Sequence, residues 1–479
     1  MPVSKTESET STPHLARVIG VFGLTMMNVA TIASLRNLPF SADYGATAAF
    51  WLILGALAFF IPAALVAAEL ASAFPQTGGV YLWIRAGLGP RAGLIAVWLQ
   101  WLQNVTWYPT ILTFIAGTLA YLVDPSLLQS PTYVVSTVLI VFWCVTLVSF
   151  RGVEATTTIS TVGVVCGTFL PILAMILLGT HWLISGHPAA NPMHIRDWFP
   201  SVTSWHQLPL ISGLMLGLCG IEMPAVHARQ VIDPQRSFPR ATALSVVLIL
   251  ACTILGTLSI VTVVPRDQLN LVSGVIEAFS YFLRAFHLES WLPVAVIAIA
   301  AGALAGVSNW VIGPCRALFA SGRDGDLPPV LQNVNRFGIP WVLLLVQGVV
   351  VSALAMVFVL LPDVSSSYWL LVAVSSQLYM LLYMLMFIAA IRLRRQNLPT
   401  DFRVPGGRYG LPAICILGFC SSLFGFLVPF IPLESLSSAE TFHFHLAMIV
   451  ALGAFLGFPL VIYKLRKPTW KPKNLEIFE

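Results

Sequence analysis

Along this chain, long apolar stretches alternate with short polar segments twelve times. The stretches run at about 18–40, 48–72, 92–122, 132–150, 157–184, 207–228, 240–264, 291–320, 340–361, 367–391, 410–431 and 443–463. A helix needs about 20 apolar residues to cross ~30 Å of hydrocarbon, and each stretch meets that length closely enough to count as a span. All are rich in Leu, Val, Ile and Ala, which predicts helices rather than barrel strands. The expected fold class is all-α integral membrane. Residues 1–16 are polar, with Lys5, Glu7 and Glu9, and hold no apolar core with a cleavage site. The first span therefore reads as the insertion signal itself.

Composition sharpens this picture. Of 479 residues, 57% are hydrophobic and 9% are charged, against ~25% charged in an ordinary soluble domain. So few charges cannot cover a water-soluble surface of this size, which excludes a cytosolic enzyme, a nucleic-acid binder and a disordered scaffold. With both tails placed in the cytoplasm, 21 of the 25 basic residues fall on the inner side, leaving Arg36, Arg196, Arg266 and Arg284 outside. That bias is a strong orientation signal, and it tests the span count, since one missed helix would send later clusters to the wrong side. The net charge of +5 then reflects topology and anionic lipid.

Specific chemistry is sparse. The seven cysteines lie in or at the ends of apolar spans, none at metal-ligand spacing, and read as small buried hydrophobes. No Walker loop, HExxH or GxSxG in a plausible setting is found, so no cofactor, metal or ATP-driven mechanism is expected. Secondary transport becomes the default. A polytopic membrane enzyme would need a cluster of His, Asp or Ser at one membrane face, and none is seen.

One ionisable residue stands out. A charge at a helix centre costs ~2.5–3.5 kcal/mol on insertion scales, and most charges here sit at span ends. Glu222 lies inside the sixth stretch, in the run Leu218-Cys219-Gly220-Ile221-Glu222-Met223-Pro224. Gly220 and Pro224 both weaken helical hydrogen bonding. A broken membrane helix exposes backbone groups that are tolerated where they line a cavity or meet a ligand. The plainer reading is a proline kink whose Glu pairs with a neighbouring hydroxyl or Arg.

Three segments resemble the amino acid–polyamine–organocation (APC) transporter superfamily. They are Ala68–Pro90, with AELASAFPQTGGVYLWIRAGLGP; Gly220-Ile221-Glu222, followed by Asp233-Pro234 and Pro239; and Ser308–Pro329, with SNWVIGPCRALFASGRDGDLPP. Val404-Pro405-Gly406-Gly407 fits as well. Trp310-Val311-Ile312-Gly313-Pro314 and Arg36-Asn37-Leu38-Pro39 are most similar to the glutamate:GABA antiporter branch. The resemblance implies twelve transmembrane helices in a 5+5 inverted repeat, with helices 1 and 6 broken at the midplane and two peripheral helices added. The corresponding division is a cytoplasmic tail at 1–16, repeats at 17–200 and 201–395, helices 11 and 12 over 396–463, and a cytoplasmic tail at 464–479.

The same resemblance implies the cargo site. Its first-helix segment here is Ile32-Ala33-Ser34, after Ala30 and Thr31, without the Gly-Ser-Gly usual in the family. Small residues still let a ligand reach the backbone. Amides at one break would hold a carboxylate and carbonyls at the other an ammonium, so an α-amino acid or related amine is the expected cargo. Candidate binding residues are Ile32, Ala33, Ser34, Cys219, Gly220, Ile221, Glu222 and Trp310, with Glu222 also proton-coupling: burial would let its carboxyl be neutral in one state and charged in another. Gly306 stands where some antiporters of the branch carry another acid, and the residues after 463 are too few and too basic for a structured plug. Arg36 reads as a snorkelling interfacial residue, with attraction of an anionic cargo as the alternative. Trp101, Trp107 and Tyr108 read as core or interface aromatics. Glu69 and Arg316 read as anchors or inner-gate charges, and the histidines around 181–206, 287 and 443–445 as solvated outer loops. The protein is thus expected to be an amino-acid antiporter or proton-coupled permease of the cell (inner/plasma) membrane. It would have lipid and a small molecule as partners, no nucleic acid, and a homodimer as a candidate assembly. The alternatives are an amine/polyamine exchanger of the same superfamily and a non-transporting amino-acid sensor.

Overall fold

The computed structural model describes residues 17–76, 78–151, 163, 165–200, 205–361, 364–396, 400–431 and 438–472. Its helices follow the predicted spans, with most ends shifted by a few residues. Span 2 is Gly45–Ala73, span 3 Pro90–Ala120, span 4 Pro131–Ser149 and span 5 Val165–Ile184. Span 7 is Pro234–Val263, span 8 Leu292–Ala320 and span 9 Trp341–Leu360. Span 10 is Val364–Arg394, span 11 Gly407–Phe430 and span 12 Ser438–Leu465. The predicted start of span 5 lies outside the described residues.

Spans 1 and 6 are not continuous. Span 1 is helical over Val21–Ile32, extended at Ala33 and Ser34, then continues through a 3₁₀ turn at Leu35–Asn37 into Leu38–Ala42. Span 6 is helical over Ile211–Leu216, unwinds across Gly217–Glu222, and resumes as a 3₁₀ helix at Met223–Gln230. The unwinding turns on Gly220, whose φ of +110° is open to glycine and strained for other residues. Span 1 breaks without a glycine, because Ala33 and Ser34 are simply extended.

Two short helices were not foreseen. Gly79–Leu88 sits between spans 2 and 3, and Gly274–Ala285 between spans 7 and 8. They occupy opposite faces of the molecule. Tyr81 and Arg85 of the first meet Asp324 beyond the end of span 8, whereas Glu277 of the second accepts from Tyr121 at the far end of span 3. A broken helix, a span, a short helix and a span thus occur in the same order in both halves, with the polarity reversed. This is the 5+5 inverted architecture. Span 7 corrects one expectation: Pro239 does not lie in a loop but inside the helix that begins at Pro234. At the sixth helical position its missing N–H removes one early backbone bond, which the long helix tolerates.

The interior is arranged around spans 3 and 10, both buried along most of their length, whereas span 12 is largely peripheral. Spans 5 and 8 cross with almost no spacer: a Cβ on Gly167 would lie 2.2 Å from the Ala298 carbonyl oxygen and 2.4 Å from the backbone of Gly302. Such close approach lets dispersion hold helices that lipid gives no hydrophobic reason to associate. Leu57, Ile140, Leu177, Val247, Ile297, Val349 and Val450 face outward, as acyl chains require.

Both described ends of the chain meet on the face that carries Arg85. Ile19 pairs with Val231 as a β-bridge next to the end of span 6. Arg466, just past span 12, donates to Asp326 at 2.7 Å. Beyond it the Trp470 carbonyl accepts from Gln332 at 2.8 Å. The tail segment at 468–471, expected to be too short and too basic for a structured plug, is seated on the loop after span 8.

Candidate functional site

The two breaks meet each other. A Cβ on Gly220 would lie 3.1 Å from Cγ2 of Thr31, 3.6 Å from Ile32 and 3.7 Å from the hydroxyl of Tyr379. Ile32, Ala33, Cys219, Gly220, Ile221 and Glu222 are all buried, and Ser34 is half-buried. The structure thus gathers the predicted break residues of both spans at one level of the bundle.

Glu222 is 2% exposed and pairs with two hydroxyls, as its plainer reading allowed, although the sequence did not say which residues supply them. Span 10 places Tyr379 and Tyr383 four residues apart, so a single helix face presents both rings. The Tyr379 hydroxyl donates to Oε1 of Glu222 at 2.7 Å and the Tyr383 hydroxyl to Oε2 at 2.5 Å. Tyr383 also accepts from the Gly220 amide at 2.8 Å, so one phenol ties the carboxyl to the unwound backbone. Phe59 packs edge-on against Tyr383 with centroids 5.0 Å apart, which fixes that ring. Each carboxyl oxygen keeps further acceptor capacity, so the pair positions Glu222 without exhausting it. The signal in the sequence was a pair of tyrosines at helical spacing inside an apolar span.

A second polar cluster surrounds Arg36, and here the structure overturns the expected snorkelling. Arg36 is 2% exposed. Its guanidinium donates to Thr110 Oγ1 at 2.8 Å and to Asn37 Oδ1 at 2.9 Å, and lies over the Trp107 ring. The residue sits just past the span 1 break, where the chain turns inward between spans 3 and 10 instead of reaching the interface. Trp310 belongs to this cluster and not to the carboxyl: its ring is 6.1 Å from Trp107 and its carbonyl accepts from Tyr108 at 2.7 Å. Trp101 and Tyr108 are core residues, as expected.

Glu69 is an anchor. It accepts from Arg394 at the end of span 10 and from the Val404 amide at 2.6 Å. Arg316 does not join it and is exposed. On the same face, Arg85 pairs with Asp324 and Asp326, each at 3.2 Å, and Asp326 is fully buried. Burial and the neighbouring Asp324 push the Tyr81 hydroxyl well above the ordinary phenol range. No group of three or more metal-ligating side chains is found among the described residues.

Comparison with known proteins settles what this architecture is. Residues 19–454 match the family described as amino acid permease. The chain belongs to the amino acid permease family. One relative of this permease, an uncharacterized transporter from Legionella pneumophila, is 41% identical over 453 residues, spanning 94% of this chain and 97% of the relative. A glutamate/gamma-aminobutyrate antiporter from Lactococcus lactis is 29% identical over 454 residues, covering 93% and 90%. A probable agmatine/putrescine antiporter from Lactococcus lactis is 23% identical over 437 residues, covering 90% and 92%. The permease is accordingly a multi-pass secondary transporter of amino acids or amines, and not an enzyme.

Proposed function

We propose that this permease exchanges amino acids across the plasma membrane, with both termini cytoplasmic and with cargo bound where spans 1 and 6 unwind. The single observation that carries the reading is Glu222, a buried carboxyl beside the left-handed Gly220 at the junction of the two breaks. A zwitterion fits such a junction. Its ammonium is attracted to Glu222 and to carbonyls freed by the unwinding, and its carboxylate to backbone amides from Ser34 onward, since the Ala33 amide is held by the Val29 carbonyl. Cys219 and Ile221 flank the carboxyl along the chain and shape the wall. Cargo and proton compete for the same group: with ammonium present Glu222 is charged, and without it a proton substitutes, which couples the two fluxes. Rearrangement of the halves at 17–200 and 201–395 around this junction alternates access. The basic bias of the face bearing Arg85 supports a cytoplasmic placement for that face.

The test is counterflow in proteoliposomes at two pH values, with a panel of amino acids, decarboxylated amines and polyamines. Glu222→Gln keeps shape and polarity but removes titration. Exchange is expected to fall sharply and to lose its pH dependence. Exchange at wild-type rate with unchanged pH dependence would defeat the reading, and binding without counterflow would show a sensor.

A further inference from the structure

Among the described residues, Arg36 is the one buried arginine or lysine, and the proposed site does not yet use it. Its partners among the described residues are neutral: the Thr110 hydroxyl, the Asn37 amide oxygen and the Trp107 ring. Thr110 is itself committed, donating to the Trp107 carbonyl at 2.7 Å, so its orientation is set. Tyr368 of span 10 lies beside the guanidinium. The Nε of Arg36 is buried and has no hydrogen-bond partner among the described residues. Among the described residues no carboxylate pairs with it: the acidic groups in ion pairs are Asp43, Glu69, Asp197, Asp233, Asp324 and Asp326, each with another arginine. A buried charge without a counter-ion is rare because desolvation is not repaid. Inside a membrane bundle such a residue marks a substrate or ion pathway by default.

Position makes the same point. Arg36 stands two residues beyond the Ala33–Ser34 break, and its neighbour Asn37 lies against Gly217, within 3.2 Å of where a Cβ there would sit. Gly217 opens the same unwound stretch that Glu222 closes. The junction of the breaks therefore has a cationic pole at Arg36 and a carboxyl pole at Glu222, on elements that touch.

We propose that Arg36, held by Thr110 and backed by Trp107, is the specificity residue that receives a carboxylate of the cargo, so that this permease takes amino acids and rejects diamines. The inference rests on the reading of Glu222 as the ammonium-facing group. It goes further in assigning the anionic end to a side chain rather than to backbone amides alone. Guanidinium and carboxylate match as planar forks, and a diamine would set a second cation against an unneutralised arginine.

The experiment uses purified full-length protein, wild type and Arg36→Gln and Arg36→Lys, with glutamate, glutamine, ornithine and putrescine as probes. Wild type is expected to exchange at least one of the amino acids in counterflow and to ignore putrescine. For the transported amino acid, Arg36→Gln should raise KM by at least about tenfold, the loss of one charge-assisted hydrogen bond. Arg36→Lys, which keeps the charge but not the fork, should fall between. Wild-type melting supplies a readout that needs no variant: the transported amino acid should stabilise the protein and putrescine should not. Putrescine exchanged or stabilising as well as amino acids, or an unchanged KM in Arg36→Gln, overturns the proposal. If Glu222→Gln abolishes exchange while Arg36→Gln does not change KM, only this inference fails. If no probe moves or binds, it fails together with the function proposed above.

Discussion

Replacing Tyr383 with Phe tests how the carboxyl is held, and the expected size can be worked from the contacts. The hydroxyl makes two bonds at once, donating to Glu222 Oε2 and accepting from the Gly220 amide. With cargo bound, when Glu222 is charged, losing a hydrogen bond to it costs about 1.5–3 kcal/mol, and leaving a buried amide unpaired costs about 1–3 kcal/mol more. Tyr383→Phe should therefore destabilise by roughly 2.5–6 kcal/mol. Tyr379→Phe is the internal control, because among the described residues that hydroxyl bonds only Glu222 Oε1. It should cost only the first term, about 1.5–3 kcal/mol. Both rings keep their packing in the Phe variants, so volume does not confuse the comparison. The assay is thermal unfolding in detergent with saturating transported amino acid, alongside initial counterflow rates in liposomes. The reasoning predicts the order wild type, Tyr379→Phe, Tyr383→Phe in both measurements. Equal effects of the two variants would show that the Gly220 amide gains nothing from Tyr383, and that the tie between carboxyl and unwound backbone is not energetic.

Three further expectations follow from other parts of the molecule. Gly167→Leu would drive a side chain into the backbone of span 8, since a single Cβ already meets Gly302 at 2.4 Å; overpacking of about 1–3 kcal/mol or more should lower the melting temperature, and an unchanged melt would refute the crossing. Asp326→Asn removes a buried carboxylate shared by Arg85 and Arg466, and should cost about 1–3 kcal/mol because both arginines are partly exposed, with faster proteolysis of the loop after span 8; unaltered cleavage would mean that the tail is not held there. Asp43, paired with Arg266 at 3.7 Å, has its carboxyl raised from the usual 3.8 by burial, against the pull of Arg266. A raised folded value means the unfolded chain releases its proton first, so stability falls as pH climbs from about 3.8 to the folded value. Asp43→Asn should remove that fall, and melting curves between pH 3.5 and 7 that keep the wild-type slope would contradict it.

How far the sequence could be read depended on which interactions were local. Span length and charge bias are properties of a window, and the helices follow the predicted stretches closely. Gly220 and Pro224 mark a break by themselves, because glycine freedom and a missing N–H act at the residue that carries them. The break at Ala33–Ser34 has no such residue and was legible only through family resemblance. Gly274–Ala285 was missed although Val275, Ile276, Phe279, Phe282 and Leu283 repeat at helical spacing and are buried; the segment is too short to register as a span. Arg36 was misplaced for a different reason. From the sequence, an arginine near a span end is most economically placed at the interface, and only the path of the chain after the break shows that it turns inward. The partnership of Glu222 with Tyr379 and Tyr383 joins residues about 160 positions apart, beyond any local pattern.

The separation of Arg36 from Glu222 is itself informative. Two buried charges of opposite sign in one bundle are most stable when paired, and a permanent pair would satisfy both with no need for a ligand. In this permease the carboxyl is given to two tyrosines and the guanidinium to a hydroxyl, an amide and an indole. Neutral partners satisfy hydrogen bonds while leaving charge unneutralised, so each pole retains an electrostatic demand that a molecule bearing both signs would meet. On this view the breaks in spans 1 and 6 do more than free backbone groups: they hold the poles apart. Reversing the pair tests the argument. Arg36→Glu with Glu222→Arg preserves the total charge but turns the field around. It should not restore exchange, whereas recovery of transport would mean that the two residues act only as a structural pair.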